Sequence, residues 1–141
     1  MDHDGYRFRQ ETVAGSDVID ELGHVSNLVY ITWALDVAKA HSMAVGYDPE
    51  AYVKMGCAFV VRRHEVDYHR PVFEGERLEL STWVESWTSA SSIRKTEIRK
   101  LDEAKTLVCA LSTQWVFAAL PSGRPKRIPI ELRTAYDQYA G

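Results

Sequence analysis

The stretch DVIDELGHVSNLVYITWALDVAKAHSMAVG, residues 17–46, decides the reading of the chain. Its first part, 17–27, is polar and turn-like, with Asp20, Glu21, Gly23, His24, Ser26 and Asn27 close together. Its second part, 28–45, predicts a helix that is apolar around most of its circumference. Only Thr32, Asp36 and Lys39 form a narrow polar stripe. Such a helix has to be wrapped by other structure. Ser26 or Asn27 is a candidate N-cap and Gly46 a candidate stop, with Pro49 beyond it. A loop carrying a carboxylate therefore runs into the positive end of a buried helix. That arrangement suits an anion or an oxyanion.

Outward from that stretch, the pattern changes period. Before it, 6–13 (YRFRQETV) alternates as a strand does, and Gly15-Ser16-Asp17 breaks the alternation. After it, 47–56 reads as a connection containing Pro49. Residues 57–72, CAFVVRRHEVDYHRPV, predict a long strand ended at Pro71. Residues 77–87 predict the next, with Leu78, Leu80, Thr82 and Val84 on one face. A third with a charged face covers 93–101. A fourth covers 104–119, with Leu107, Cys109, Leu111, Trp115 and Phe117 on one face. Residues 130–139 predict a short terminal helix. Strands joined by short turns are antiparallel, so the expectation is a meander curled around one central helix.

A chain of 141 residues makes one domain with a real core, taken here as 1–141. A formal net charge of −3 gives no general attraction to nucleic acid or to an anionic membrane. Cys57 and Cys109 sit in strand-like runs without a CxxC and read as reduced core thiols. The N-terminus MDHDGYRFRQ is too polar for a signal peptide. No apolar run approaches the roughly 18 residues that span a bilayer. The expected location is the cytoplasm. His64 and His69 are five apart in a strand and so point to opposite faces, and His24 and His41 lack a nearby second ligand, so no metal site is expected. No G-x-S-x-G elbow and no Gly-rich phosphate loop occurs.

Four passages, DELGHVSNLVY at 20–30, FVVRRHEVDYHRPV at 59–72, GERL at 75–78 and RPKRIP at 124–129, stand in an order that resembles the hotdog-fold acyl-CoA thioesterases of the 4-hydroxybenzoyl-CoA thioesterase type. The resemblance implies an α+β fold, a five-stranded antiparallel sheet wrapped around one long helix. It implies a homodimer as minimal unit, often a homotetramer, with the active site between subunits. It implies hydrolysis of an acyl-CoA to free acid and CoA, with no cofactor beyond the CoA of the substrate.

By the same resemblance Asp20 matches the family's catalytic aspartate, as nucleophile or as the base that activates water, and the Asn27 backbone matches its oxyanion donor. A thioester carbonyl needs both parts. From spacing alone, Asp20 reads first as a turn former or helix-entry cap; the flanking match to the family reverses that order. Gly23 permits a close backbone approach to a ligand or makes an ordinary turn. His24 either orders the loop or lies near the thioester. Tyr30 packs in the core or touches substrate. The cations Arg94, Lys95, Arg99 and Lys100 on one strand, and Arg124, Lys126 and Arg127 after the last, are either solvated surface or contacts to CoA phosphates; Arg94, Lys95 and Arg127 stand for them as candidate contacts. Trp33, Trp83, Trp87, Trp115 and the tyrosines suit an aryl or a fatty acyl pocket equally. A thioesterase acting on acyl carrier protein, and a hotdog protein that binds acyl-CoA without turnover, are the rival readings.

Overall fold

The computed structural model describes residues 7–139; Tyr6, placed above at the start of the first strand, lies outside them. In chain order the elements are β1 (Phe8–Val13), a short 3-10 turn (Ser16–Val18), α1 (Asn27–Ala44), α2 (Pro49–Met55), β2 (Cys57–Tyr68), β3 (Arg77–Trp87), β4 (Ser91–Lys100), β5 (Leu107–Ala119) and α3 (Ile130–Gln138). The strands form one five-stranded antiparallel sheet in the order β1-β3-β4-β5-β2, with α1 packed on it. This is the hotdog layout.

The helix packs through one stripe. Tyr30, Trp33, Ala34, Val37, Ala38 and His41 are buried, at spacings of three and four. Of these, Tyr30, Trp33, Ala34 and Val37 share one core cluster with Leu78 and Leu80 of β3, Ile98 of β4, and Cys109 and Leu111 of β5. Fully burying an aliphatic side chain stabilises by roughly 1.5–3 kcal/mol, so this stripe fixes the helix on the sheet. The face turned away from the sheet is not wrapped: Leu28 is 74% exposed and Met43 51%. The expected enclosure of the helix on all sides is therefore incomplete within the chain.

Two other expectations change. The last four strands are not a continuous meander. β3, β4 and β5 follow one another, but β2 pairs with β5, from Cys57↔Ala119 to Tyr68↔Cys109. Pro71 lies in the eight residues, 69–76, between β2 and β3. That connection is a crossover across the sheet and not a hairpin turn. The connection expected at 47–56 contains α2. Asp48 caps it through its carboxylate, which accepts from the Ala51 N–H at 2.8 Å. Pro49 stands at its start, and Gly56 ends it at φ 71°.

A second cluster, built on Phe117, Ile128, Leu132 and Tyr136, joins α3 to the end of the sheet. It packs against Tyr47, Tyr52, Phe59 and Trp87. This end lies at the C-terminal half of α1; Asp20 and the helix start lie at the other.

Candidate active site

At the helix start the loop 19–25 is closed by a bridge between Ile19 and Val25. The Asp20 N–H donates to His24 O at 2.9 Å, and the Gly23 N–H returns to Asp20 O at 3.0 Å. Gly23 has φ 85°, a left-handed conformation that disfavours a side chain. The loop is anchored from outside by Val25 N–H to Val72 O at 2.8 Å and Ser26 N–H to Val18 O at 3.1 Å. The half-buried Asp20 carboxylate accepts the Leu22 N–H through Oδ1 at 2.9 Å. The carboxylate is thus oriented by one amide, and no other hydrogen bond to it occurs among the described residues.

α1 begins immediately after this loop. Its N-cap, Ser26, makes no side-chain hydrogen bond, and the first turn contains no acidic residue. The Val29 N–H turns back to Ser26 O at 3.0 Å; the Asn27 and Leu28 amides of this uncapped first turn remain open to an incoming acceptor. Asn27 is exposed, and its carbonyl accepts the Tyr68 hydroxyl at 3.0 Å. Tyr68 stands at the end of β2, so the edge strand is tied to the helix start.

The other candidates fall as follows. His24 is half-buried, and its Nδ1 lies 3.3 Å from Val25 O, which orders the loop. Tyr30 is 3% exposed and packs edge-on against Trp33 and Tyr68. Burial pushes its phenol up to about 12. In this chain Tyr30 supports Tyr68 from the core and offers no open surface. The four β4 cations do not share a solvated face. Strand alternation turns Arg94 inward, where it is 6% exposed. Lys95 pairs with Glu85 at 3.8 Å, Arg99 with Glu97 at 3.3 Å and Lys100 with Glu76 at 3.1 Å. Arg124, Lys126 and Arg127 are exposed, and the ion pairs among the described residues include none of them.

The far end of α1 holds a cavity of about 290 Å³. Phe59, Trp87, Trp115, Tyr52 and Tyr136 line it, and Leu35, Val53 and Leu120 stand exposed at its rim. Of the tryptophans considered above for an acyl pocket, Trp87 and Trp115 line this cavity. Trp33 belongs to the core, and Trp83 lies on the outer face of the sheet under Arg7, whose guanidinium carbon is 4.0 Å from its ring. Behind the cavity, His41 stacks on Phe8 at 5.1 Å and meets Tyr136 edge-on at 4.9 Å. Burial, with a smaller contribution from the Arg94 charge, lowers its imidazole to about 3. A neutral His41 accepts the Arg94 Nη1–H at Nδ1, 2.9 Å away. The cavity itself was not legible in the sequence, because its walls come from seven elements, α1, α2, β2, β3, β4, β5 and α3, and no local pattern joins them.

The cavity runs along the second half of α1, from Leu35 to Ser42, and Leu35 stands about 12 Å along the helix from Asn27 at 1.5 Å per residue, so the first half of α1 separates the cavity from the Asp20 loop. β2 spans the same interval along the edge of the sheet: Ala58 and Phe59 line the cavity, and Tyr68 reaches the helix start. Its exposed edge carries Val60, 44% exposed, and Val61, 37% exposed.

A family model described as the thioesterase-like superfamily matches residues 13–136. Three solved structures share the fold. A 1,4-dihydroxy-2-naphthoyl-CoA thioesterase from Synechocystis is 18% identical, with 96% of this chain and 98% of that one covered and a TM-score of 0.86. A DHNA-CoA thioesterase from Staphylococcus aureus is 23% identical over 94% and 89%, with a TM-score of 0.84. A mutant 4-hydroxybenzoyl-CoA thioesterase complexed with 4-hydroxybenzoyl CoA is 14% identical over 92% and 98%, with a TM-score of 0.83. No curated protein matches the chain in sequence.

Proposed function

Because the chain belongs to the thioesterase-like superfamily, we propose that it hydrolyses an acyl-CoA thioester to the free acid and CoA. The observation that carries this reading is the Asp20 carboxylate, oriented by a single amide beside an uncapped helix start. In the reaction, Asp20 either attacks the thioester carbonyl carbon or takes a proton from the water that does. The carbonyl oxygen becomes an oxyanion held by first-turn amides near Asn27. The C–S bond then breaks, the sulfur leaves as the CoA thiolate and is protonated, and water supplies the second oxygen of the acid. No further cofactor enters the scheme. Gly23 gives the loop its close turn and His24 holds it.

The working unit in this reading is a pair of chains. β2 is an open twelve-residue edge, and such edges are normally covered. Antiparallel pairing of β2 with β2 of a second copy places the partner's helix start beside this chain's cavity. One chain then supplies the carboxylate and the other the acyl pocket. The same contact accounts for the apolar side chains left open on α1. Phosphate contacts fall to Arg124, Lys126 and Arg127, which follow directly on the cavity rim at Leu120, and not to the engaged cations of β4.

Among the described residues no helix is long and apolar enough to cross a membrane. Cys57 and Cys109 are free thiols, which fits a reducing cytoplasm. The test is an acyl-CoA panel assayed by release of free thiol. Turnover supports the reading. Tight binding without turnover, or turnover only of acyl carrier protein thioesters, replaces it.

A further inference from the structure

The cavity at the far end of α1 holds a charge that its walls do not need. Arg94 stands on β4, the central strand, and forms the floor. Its Nη1 donates to His41 Nδ1 at 2.9 Å and to Thr82 Oγ1 at 3.1 Å. The phenols of Tyr136 and Tyr52 are the other polar groups that act on it. Every one of these partners is neutral, and no ion pair among the described residues includes Arg94. A guanidinium keeps its proton, and a buried cation without an anion is rare because it has lost its hydration. A second donor faces the same need. Trp115 lines the cavity, and its indole Nε1–H is buried without an acceptor. The rest of the lining is aromatic, aliphatic or hydroxylic, with Lys39 at its exposed side and no carboxylate; a buried cation and a buried N–H without an anion call for a ligand that brings a planar anion on an apolar body.

We propose that the acyl group seated in this cavity ends in a carboxylate, so that the substrates are CoA monothioesters of dicarboxylic acids, with the remote carboxylate bound by Arg94 and the Trp115 indole N–H. This rests on the acyl-CoA reading above and narrows it. The remote carboxylate lies at the floor of the cavity, and the thioester lies towards its rim, where the partner's helix start approaches. The charge thereby selects among acyl groups of one length while taking no part in bond breaking.

The experiment compares CoA thioesters of equal length that end in a carboxylate or in a methyl group, on wild type, Arg94→Gln and Trp115→Phe. Wild type should favour the carboxylate-ended series in kcat/KM on the order of ten- to a hundredfold, the usual range for hydrogen bonds to a charged group. Arg94→Gln should abolish that preference and leave the methyl-ended series equal or better. Trp115→Phe removes the N–H while keeping an aromatic side chain, and should lower the preference roughly fivefold; it serves if Arg94→Gln does not fold. Equal or greater activity on the methyl-ended series in wild type overturns the proposal. A second arm is independent of turnover: calorimetric titration of wild type with short aliphatic and aryl carboxylates and with their amides. If no thioester is hydrolysed, the thioesterase reading fails, and this arm alone decides the cavity. Binding of carboxylates over amides, lost in either variant, upholds the carboxylate site. No such discrimination overturns it.

Discussion

Replacing Asp20 by Asn separates chemistry from architecture at one atom. In the folded chain, Asp20 Oδ1 accepts the Leu22 N–H at 2.9 Å. An Asn side chain keeps an oxygen in that place, and Asn suits turns and helix entries about as well as Asp. The backbone bonds of the loop, from Asp20 N–H to His24 O and from Gly23 N–H to Asp20 O, do not involve the side chain at all. The substitution should therefore leave the melting temperature within about 2 °C, since changes that preserve the local bonds fall within about 0.5 kcal/mol. An amide, however, neither attacks a thioester nor takes a proton from water. General-base contributions are typically 10²–10⁴-fold, so turnover should fall by at least about that factor. The first-turn amides of α1 remain, so residual hydrolysis and near-normal substrate affinity are expected. Thiol release and thermal unfolding on the same purified sample make the comparison. An unchanged melt with near-normal turnover would show that Asp20 only shapes the loop, and the mechanism above would be wrong.

Three further outcomes follow. Val61→Lys places a charge in the exposed edge of β2; it should yield a folded monomer by sedimentation with thiol release near background, and a fully active monomer would refute the paired site. Arg127→Ala should raise KM several-fold with little change in kcat, and added salt should shrink the difference, because charge pairs with the distant phosphates are screened and hold ground and transition states alike; an unchanged KM assigns Arg127 to plain surface. His41 titrates at about 3 in the fold against 6.5 in a free chain, with Arg94 the cation facing it and Phe8, Tyr136 and Tyr139 the rings around it. Between those values the unfolded chain binds the extra proton, so stability is full above pH 6.5 and falls as pH drops towards 3, by at most about 1.4 kcal/mol per unit from this residue; urea unfolding of wild type and His41→Asn from pH 7 to 5 should show the smaller slope in the variant.

The residues that carry regular repeats were readable in advance. Alternation identified the inward faces of β3 and β5, and Trp33, Ala34 and Val37 announced α1. Pairing of β2 with β5 was not readable, because a strand's sequence records its faces and not its neighbour. α2 was hidden by Pro49, which looks like a breaker until Asp48 and Gly56 are read as its two caps. The loop around Asp20 was legible because its residues are contiguous. Arg94 was not: grouped by proximity with Lys95, Arg99 and Lys100, it read as solvated surface or a phosphate contact, although alternation along β4 already assigned it to the face of Thr96 and Ile98. Its partner His41 is distant in sequence, and no local signal joins them.

The placement of the carboxylate loop and the acyl cavity at opposite ends of one helix has a genetic meaning. If each site is assembled from the loop of one chain and the cavity of another, a lesion in either half does not belong to the chain that carries it. A chain lacking the Asp20 carboxylate still lends a sound cavity, and a chain with a ruined cavity still lends a sound carboxylate. Co-expressed, two such inactive chains restore a working site in every mixed pair, while the second site of that pair carries both lesions. In a paired site of that kind, the helix that holds the domain together would make the two halves of the function complement each other in trans.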